Sequence, residues 1–317
     1  MIQRYLIVWL ILSSLIALMW PEWFGDVASP FAASKPFLSH LIALTMFCVG
    51  CLLPPDEMRQ VVRRWPTVLF GTSVQYLAMP ALAYAMAVLF QLNDADRIGL
   101  IIVGVVPGAM ASNVLTMTAR GNVSYSVSLT TSATLLSPLV VPFGLWLLLG
   151  AELPVEPAQV ALQLLREVVL PVIAGFTMCR LWKPFERLAN ATAPTIANLV
   201  ILWVIAVVVA LNREEITKIH TVTLLALLTV NVLGYLTGYH AARAIGLPEK
   251  MRRTLSIEVG MQNAGVGTVL AIKLFPEYPA VAIPTATYTF GCMLTATMLA
   301  WYWSRRDPED KMAGSDE

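Results

Sequence analysis

Charged residues are scarce in this chain. Only 13% of its 317 residues are aspartate, glutamate, lysine or arginine, and 57% are hydrophobic. Soluble domains are about a quarter charged, so the deficit indicates that much of the surface faces lipid. The net charge of +1 supplies no strong basic or acidic field, which argues against a nucleic-acid partner.

Residues and motifs typical of enzymes are also few. Four cysteines are too few for a disulfide framework, and the only histidines are His40, His220 and His240. The sequence contains no HExxH, no GxSxG and no glycine-rich phosphate loop. These absences argue against hydrolases and nucleotide-dependent enzymes that rely on those motifs.

Long apolar runs fill most of the chain. Each is close to the ~20 residues that cross a bilayer as a helix, and the polar gaps between them leave no room for a soluble domain. The first run has no A-x-A cleavage site after it, so it is interpreted as a span and not a signal peptide. Ten spans are predicted, at 5–20, 36–54, 66–91, 97–118, 122–150, 158–182, 189–211, 219–245, 250–273 and 280–303.

The basic residues test this count, because cytoplasmic loops are enriched in lysine and arginine. With ten spans, 15 basic residues share one side with both termini: Arg4, Arg59, Arg63, Arg64, Arg120, Arg180, Lys183, Arg187, Arg243, Lys250, Arg252, Arg253, Arg305, Arg306 and Lys311. The other side has six: Lys35, Arg97, Arg166, Arg213, Lys218 and Lys273. Both termini are therefore predicted to be cytoplasmic, in a cell (inner) membrane.

Two halves of the chain repeat. Val74-Gln75-Tyr76-Leu77-Ala78 resembles Val230-Asn231-Val232-Leu233-Gly234, and each half then has a polar break in an apolar helix, at 107–113 and 258–265. Five spans per half is an odd number, so the halves have opposite orientations. The predicted fold is an all-α polytopic membrane protein with inverted repeats at 1–150 and 151–304 and a charged cytoplasmic tail at 305–317.

Glu258 is the most informative residue, because it lies within a span, where a charge costs several kcal/mol. No lysine or arginine is expected deep enough to pair with it. Every aspartate is expected in a loop or the tail: Asp26, Asp56, Asp94, Asp96, Asp307, Asp310 and Asp316. A buried, unpaired carboxylate takes a proton or binds a cation. The alternative is a protonated glutamate bonded to a neighbouring helix.

Neutral oxygen groups are predicted around Glu258. They are the side chains of Gln75, Ser112, Asn113, Ser126, Thr130 and Gln262, with main-chain carbonyls of unwound Glu258, Val259 and Met261. One carboxylate among many neutral oxygens suits a monovalent hard cation, and sodium fits best. Taken singly, Ser126 or Thr130 is more often a helix–helix hydrogen bond. Helices restarting after the breaks would offer free amide groups to an anion.

These residues give the chain a resemblance to a known family. The segments Pro107-Gly-Ala-Met-Ala-Ser-Asn113, Ala119-Arg-Gly-Asn122 and Glu258-Val-Gly-Met-Gln-Asn263, with Ser126, Thr130 and Ser137-Pro-Leu-Val-Val-Pro142, resemble the bile acid:sodium symporter family over nearly the whole chain. The resemblance implies a core domain of spans three to five and eight to ten. It also implies a panel domain of spans one, two, six and seven, with broken helices four and nine crossing behind a substrate cavity.

The resemblance implies two sodium sites and an alternating-access symporter. One site would use Ser112, Asn113, Ser126, Thr130 and Glu258. The other would use Gln75, Gln262 and Glu258 with the backbone oxygens of Val259 and Met261. Asn263 would face the substrate, a small organic anion, and the protein is expected to be a monomer that needs no partner beyond the lipid bilayer.

Departures from the family lie on the substrate side. Met110, beside Ala111, stands where relatives that handle bile acids have a small hydroxyl residue, and Cys292 and Met293 replace more polar residues. The cavity is therefore less polar here. Bacterial-looking members carry small carboxylates such as pantoate or pyruvate, and the sequence does not choose among these anions.

Three other functions are weighed against symport. A sodium/proton antiporter of related architecture would need a pair of buried aspartates. An intramembrane enzyme would need catalytic aspartates, ligand histidines or a partnered serine, and His40 and His240 each stand alone near span ends. A receptor that binds an anion without moving it would not need two sodium sites.

Overall fold

The computed structural model describes residues 6–25, 27–53, 65–150, 156–216 and 220–306, and nearly all of them are helical. Short helical turns lie at Pro30–Ala33, Lys35–Phe37, Arg213–Ile216 and Pro279–Val281. The principal helices are α1 (Leu6–Phe24), α2 (Leu38–Cys51), α3 (Trp65–Leu89), α4 (Asp94–Val105), α5 (Ala111–Thr118), α6 (Val123–Leu149), α7 (Pro157–Leu181), α8 (Lys183–Leu211), α9 (Thr221–Ala244), α10 (Glu249–Gly260), α11 (Ala264–Leu274) and α12 (Ala282–Ser304).

Five of these helices (α3, α6, α7, α8 and α9) are long and apolar enough to cross a membrane. The prediction of an all-helical polytopic membrane protein is therefore confirmed. Predicted spans four and nine are each divided into two helices, α4 with α5 and α10 with α11. The start of span one, positions 26, 54–64, 151–155 and 217–219, and the tail from 307 onward lie outside the described residues.

Local sequence explains where the two divided helices stop. Pro107 disfavours the helical conformation in the residue before it, and Val106 is extended, with φ −68° and ψ 157°. The second break has no proline. Met261 is extended there, with φ −109° and ψ 104°, and Asn263 caps the next helix by accepting a hydrogen bond from the Val266 amide at 3.3 Å.

The two breaks pair with each other. Gly108 and Gln262 form an antiparallel β-bridge. In it the Ala109 amide donates to the Met261 carbonyl at 3.0 Å, and the Asn263 amide donates to the Pro107 carbonyl at 2.7 Å. Each break interrupts the hydrogen bonds of its own helix and leaves main-chain groups free. The other break supplies partners for those groups, as buried backbone requires. This bridge is where the two broken helices cross.

Contacts divide the helix ends between two sides of the crossing. On one side, called here the Asp94 side, Thr223 donates to Asp96 at 2.7 Å, and Gly99 lies close to the Val281 carbonyl. On the other side, called the Arg253 side, the Asn122 amide donates to the Lys250 carbonyl at 3.1 Å. Arg253 lies on this second side as well.

The largest apolar cluster joins α1, α2, α7 and α8 to α4, α6, α11 and α12. Its buried members from α4, α6, α11, α12 and their ends are Ile98, Ile101, Ile102, Val105, Val106, Val141, Leu145, Val266, Val269, Leu270, Ala271, Phe275, Val281, Ala282 and Ala286. All of them lie between the crossing and the Asp94 side. The seam between these two groups of helices is therefore packed shut on the Asp94 side.

Two ionisable residues are more buried than the sequence indicated. Asp94 and Asp96 lie in the first turn of α4, and Asp96 is only 9% exposed, so placing both in a loop was wrong. Arg253 is 2% exposed. Its guanidinium pairs with Glu249 and donates to the carbonyls of Ala119, Trp303 and Arg306 at 3.1–3.2 Å. It thereby ties together the ends of three segments on the Arg253 side.

Candidate cation site at the helix crossing

Glu258 lies in the last turn of α10 and is fully buried. Its Oε1 accepts hydrogen bonds from Ser112 Oγ, at 2.5 Å, and from Ser126 Oγ. Its Oε2 accepts one from Thr130 Oγ1 at 2.8 Å. The carboxylate therefore meets hydroxyl groups of α5 and α6, two helices of the other half of the chain.

No described lysine or arginine forms an ion pair with Glu258. Removing an unpaired carboxylate from water costs several kcal/mol. Hydrogen bonds to a charged group contribute about 1.5–3 kcal/mol each, so the three hydroxyls offset part of that cost. A cation within this shell would neutralise the charge that they leave uncompensated.

Asn113, next to Ser112 in α5, has an unused oxygen. Its Oδ1 is buried without a hydrogen-bond partner, and its Nδ2 lies 3.9 Å from Met110 Sδ. Buried side-chain oxygens are nearly always paired, so an unpaired one requires an explanation. An oxygen with free lone pairs one residue from the Glu258 shell is a suitable ligand for a hard cation.

A second polar group lies beside the first. Gln75 Nε2 donates to Gln262 Oε1 at 3.2 Å, and Gln262 Nε2 donates to the Val259 carbonyl at 3.3 Å. A β-carbon added to Gly108 would lie 3.0 Å from Gln75 Nε2 and 3.2 Å from Glu258 Oε2. Glycine at this position therefore lets the backbone of the first break approach both side chains.

The expectation that Glu258 and Val259 lie on unwound backbone was wrong, because α10 continues to Gly260. The Val259 carbonyl is nevertheless among the last four of the helix, which have no helical partner. The Met261 carbonyl accepts from Ala109 in the bridge. The Gly260 carbonyl accepts from Asn231 and Tyr288, both at 2.8 Å.

The five residues expected to contact substrate occupy different surroundings. Asn263, Met110, Ala111 and Met293 are half-buried. Ala111 and Met293 border one apolar cluster, around Tyr235 and Met261, whereas Met110 borders the large seam cluster. Cys292 is buried, and its thiol donates to the Thr289 carbonyl at 3.5 Å.

Several supporting residues had not been assigned a role from the sequence. Gly108 is one, although the Pro107-Gly108 dipeptide signals a tight backbone approach. Asn231 was noted only as part of the internal repeat. Thr116, whose Oγ1 lies 3.3 Å from Ser126 Oγ, gives no sequence signal.

Two broken helices cross here, and a carboxylate and hydroxyls meet at the crossing. This architecture is typical of ion-coupled secondary transporters. The sequence profile of the Sodium Bile acid symporter family matches residues 40–219. The chain belongs to this family, which is a transporter family, and the resemblance inferred from the sequence is confirmed.

Relatives match over most of the chain. An uncharacterized sodium-dependent transporter, YocS of Bacillus subtilis (strain 168), is 32% identical over 97% of this chain and 93% of its own length. The probable chloroplastic sodium/metabolite cotransporter BASS1 of Arabidopsis thaliana is 30% identical over 95% of this chain and 74% of its own. BASS2 of Oryza sativa subsp. japonica, also a probable chloroplastic sodium/metabolite cotransporter, is 30% identical over 94% of this chain and 70% of its own length.

Proposed function

We propose that this protein is a sodium-coupled symporter of a small organic anion that works by alternating access. The observation that carries the proposal is the fully buried Glu258, which has no basic partner among the described residues and accepts three hydroxyl hydrogen bonds at the helix crossing. Sodium coupling agrees with the names of the relatives, a sodium-dependent transporter and probable sodium/metabolite cotransporters.

The proposed fold has ten spans in two inverted repeats, and two features support it. The first halves of the broken helices, α4 and α10, are both 12 residues long. Each repeat also contains a tyrosine that donates to a main-chain carbonyl 57 residues later, Tyr76 to Ala133 at 2.6 Å and Tyr235 to Cys292 at 3.1 Å. Helices α1, α2, α7 and α8 would form the panel and the others the core.

Two sodium sites are proposed at the crossing. Ser112, Asn113, Ser126, Thr130 and Glu258 would form the first, supported by the hydroxyl shell and the unpaired Asn113 oxygen. Gln75, Gln262 and Glu258 with the Val259 and Met261 carbonyls would form the second, supported by the contacts around Gly108. By the distribution of basic residues, the Arg253 side would be cytoplasmic.

The proposed substrate is a monocarboxylate with an apolar body, such as pantoate or pyruvate. Its charge would meet the positive end of the α5 dipole, where no side chain caps the helix, and the side-chain amide of Asn263 at the start of α11. Met110, Ala111, Cys292 and Met293 would supply apolar surroundings.

Binding of ²²Na⁺ to the purified protein tests the proposal without a known substrate. The parent should bind sodium saturably in potassium buffer. Glu258→Gln should bind at least about 100-fold more weakly, since about 2.7 kcal/mol of charge–ion interaction is lost. Thr285→Ala, which removes a buried hydroxyl at α12 away from Glu258, is the control and should bind like the parent. Undiminished sodium binding by Glu258→Gln would refute the proposal.

A further inference from the structure

An ion pair joins the two groups of helices on the Asp94 side. Lys273, near the end of α11, pairs through Nζ with Glu167 Oε1 in α7. Glu167 is 16% exposed and Lys273 is 33% exposed, so water reaches the pair only in part. Gln163 Nε2, one turn earlier in α7, lies 3.4 Å from the other Glu167 oxygen.

The remaining ion pairs between described residues do not join these two groups. Four of them link residues three or four apart on one helix, with Asp94, Glu186 and Glu249 as the acids. The fifth links Arg213 to Glu22 within the proposed panel. Among described pairs, Lys273–Glu167 is thus the one that crosses from the proposed panel to the proposed core.

Helix α7 is irregular where it carries Glu167. Residues Leu165–Val169 form a single π-helical turn, whereas the helix is regular before and after it. Single π turns are uncommon and occur frequently at functional positions, because the wider turn redirects side chains. Here Val168 and Val169 remain buried while Glu167 reaches Lys273.

The pair lies beside the closed part of the seam. Val168 belongs to the large apolar cluster, as do Val269 and Leu270, which lie one turn before Lys273 on the same side of α11. Separation of α7 from α11 would expose this apolar surface and would also break the ion pair between Glu167 and Lys273. The apolar contacts oppose opening but do not fix how α7 is positioned along α11. The ion pair does fix one register of α7 against α11.

We infer that Glu167 and Lys273 form a lock that holds the Asp94 side of the transporter closed. The inference rests on the proposed alternating-access function, in which the panel and core separate on one side at a time. Opening to the Asp94 side then requires this pair to break. Removing either charge shifts the conformational equilibrium toward the form open on that side.

Thiol labelling measures this equilibrium. The four native cysteines are all buried, so the parent gives a low background. In the full-length protein, Val269→Cys places a thiol in the seam, where Val269 is 2% exposed. A charged, water-soluble maleimide should label this thiol about three- to tenfold faster when Glu167→Gln or Lys273→Met is added, as expected for loss of a partly buried pair. The exchanged pair, Glu167→Lys with Lys273→Glu, should return labelling toward the rate of the Val269→Cys parent.

A matched control distinguishes a lock from general loosening. Arg213→Met breaks the ion pair with Glu22 inside the proposed panel and should leave the labelling rate unchanged. Equal labelling of Val269→Cys alone and of Val269→Cys with either Glu167→Gln or Lys273→Met would overturn the lock. An increase of the same size with Arg213→Met would overturn it too. Labelling does not depend on sodium binding. A protein that showed the expected labelling but bound no ²²Na⁺ would keep the lock and lose the proposed symport.

Discussion

The two halves of the crossing share a scaffold but differ in charge. In the first half, the hydroxyls of Ser126 in α6 and Thr116 in α5 lie 3.3 Å apart. In the second half, Thr268 of α11 donates to Thr285 of α12 at 2.9 Å. Each hydroxyl pair joins the helix that follows a break to the last helix of its repeat.

The two hydroxyl pairs contact different residues of the opposite half of the chain. Ser126 meets the Glu258 carboxylate of α10. Gly267 lies next to Thr285. The first-half side chains nearest to Gly267 are Ile102 of α4 and Val106, which follows α4. The buried part of α4 from Ile98 to Val105 is apolar, whereas α10 buries Arg253, Thr254, Ser256 and Glu258. Hydroxyls at a crossing are therefore not sufficient for a cation site, and the carboxylate makes the difference.

The largest effect is expected from removing one hydroxyl in each half. Ser126→Ala deletes a hydrogen bond to a buried carboxylate and a proposed sodium ligand, so sodium affinity should fall about 10- to 100-fold, or about 1.5–3 kcal/mol. Thr285→Ala should change sodium affinity less than about twofold. It should lower the free energy of unfolding by about 1 kcal/mol, because the Thr268 hydroxyl loses one of its two partners and keeps the Ala264 carbonyl.

Titration of ²²Na⁺ binding with both variants, together with thermal unfolding in detergent, measures these effects. A Thr285→Ala variant that weakened sodium binding as much as Ser126→Ala would mean that both halves take part in the cation site. That result would remove the asymmetry inferred from Glu258.

A smaller effect is expected from a pair of glycines. In Gly108→Ala the new methyl group would lie 3.0 Å from Gln75 Nε2 and 3.2 Å from Glu258 Oε2, so both side chains must shift by a few tenths of an ångström. Sodium affinity should fall about three- to tenfold, since ligand positions within such sites must be held closely. In Gly267→Ala the nearest groups are 3.4–3.5 Å away, which is ordinary contact, and sodium affinity should not change.

Isothermal titration with sodium chloride in choline buffer would compare these two variants with the parent. Normal affinity in Gly108→Ala would show that Gln75 and Glu258 are not held against the first break during sodium binding. It would leave the first proposed site intact and remove support for the second.

Much of this architecture follows from local sequence. Apolar runs identify the helices because lipid leaves few other backbone structures, and Pro107 marks the end of α4 because its ring excludes a helical residue before it. The spacing of Ser126 and Thr130 puts both on one side of α6, where both meet Glu258. Their role as sodium ligands stays a prediction.

Other features depend on partners far away in the chain. The helical state of Glu258 and Val259 was missed because the paired break shortens the unwound segment to Met261–Asn263. Asp96 looked like a loop residue because its partner Thr223 is in another repeat. The π turn that carries Glu167 and its contact with Lys273 are not revealed by any periodicity in α7.

A further prediction concerns the anion, and it separates the two helix starts. The first residues of α5 have no side-chain cap, whereas Asn263 already accepts from an amide of α11. The amides of Ser112 and Asn113 in α5 also have partners, since they donate to the Ala109 and Met110 carbonyls at 3.1 and 3.3 Å. An anion is therefore expected to be attracted by the positive ends of both helix dipoles. Pantoate or pyruvate at about 100 times its dissociation constant should stabilise the native protein by about 2.7 kcal/mol, which is a rise of a few degrees in Tm, and only when sodium is present.

Differential scanning fluorimetry in sodium and in potassium measures this shift. The corresponding methyl esters should give none, because they lack the charge that the amides attract. Asn263→Ala should reduce the shift only in part, since the dipole of α5 remains and only one side-chain donor is lost. Stabilisation by neutral or cationic compounds, with none by carboxylates in either salt, would overturn the anionic substrate. Complete loss of the shift in Asn263→Ala would instead place the anion at the start of α11 alone.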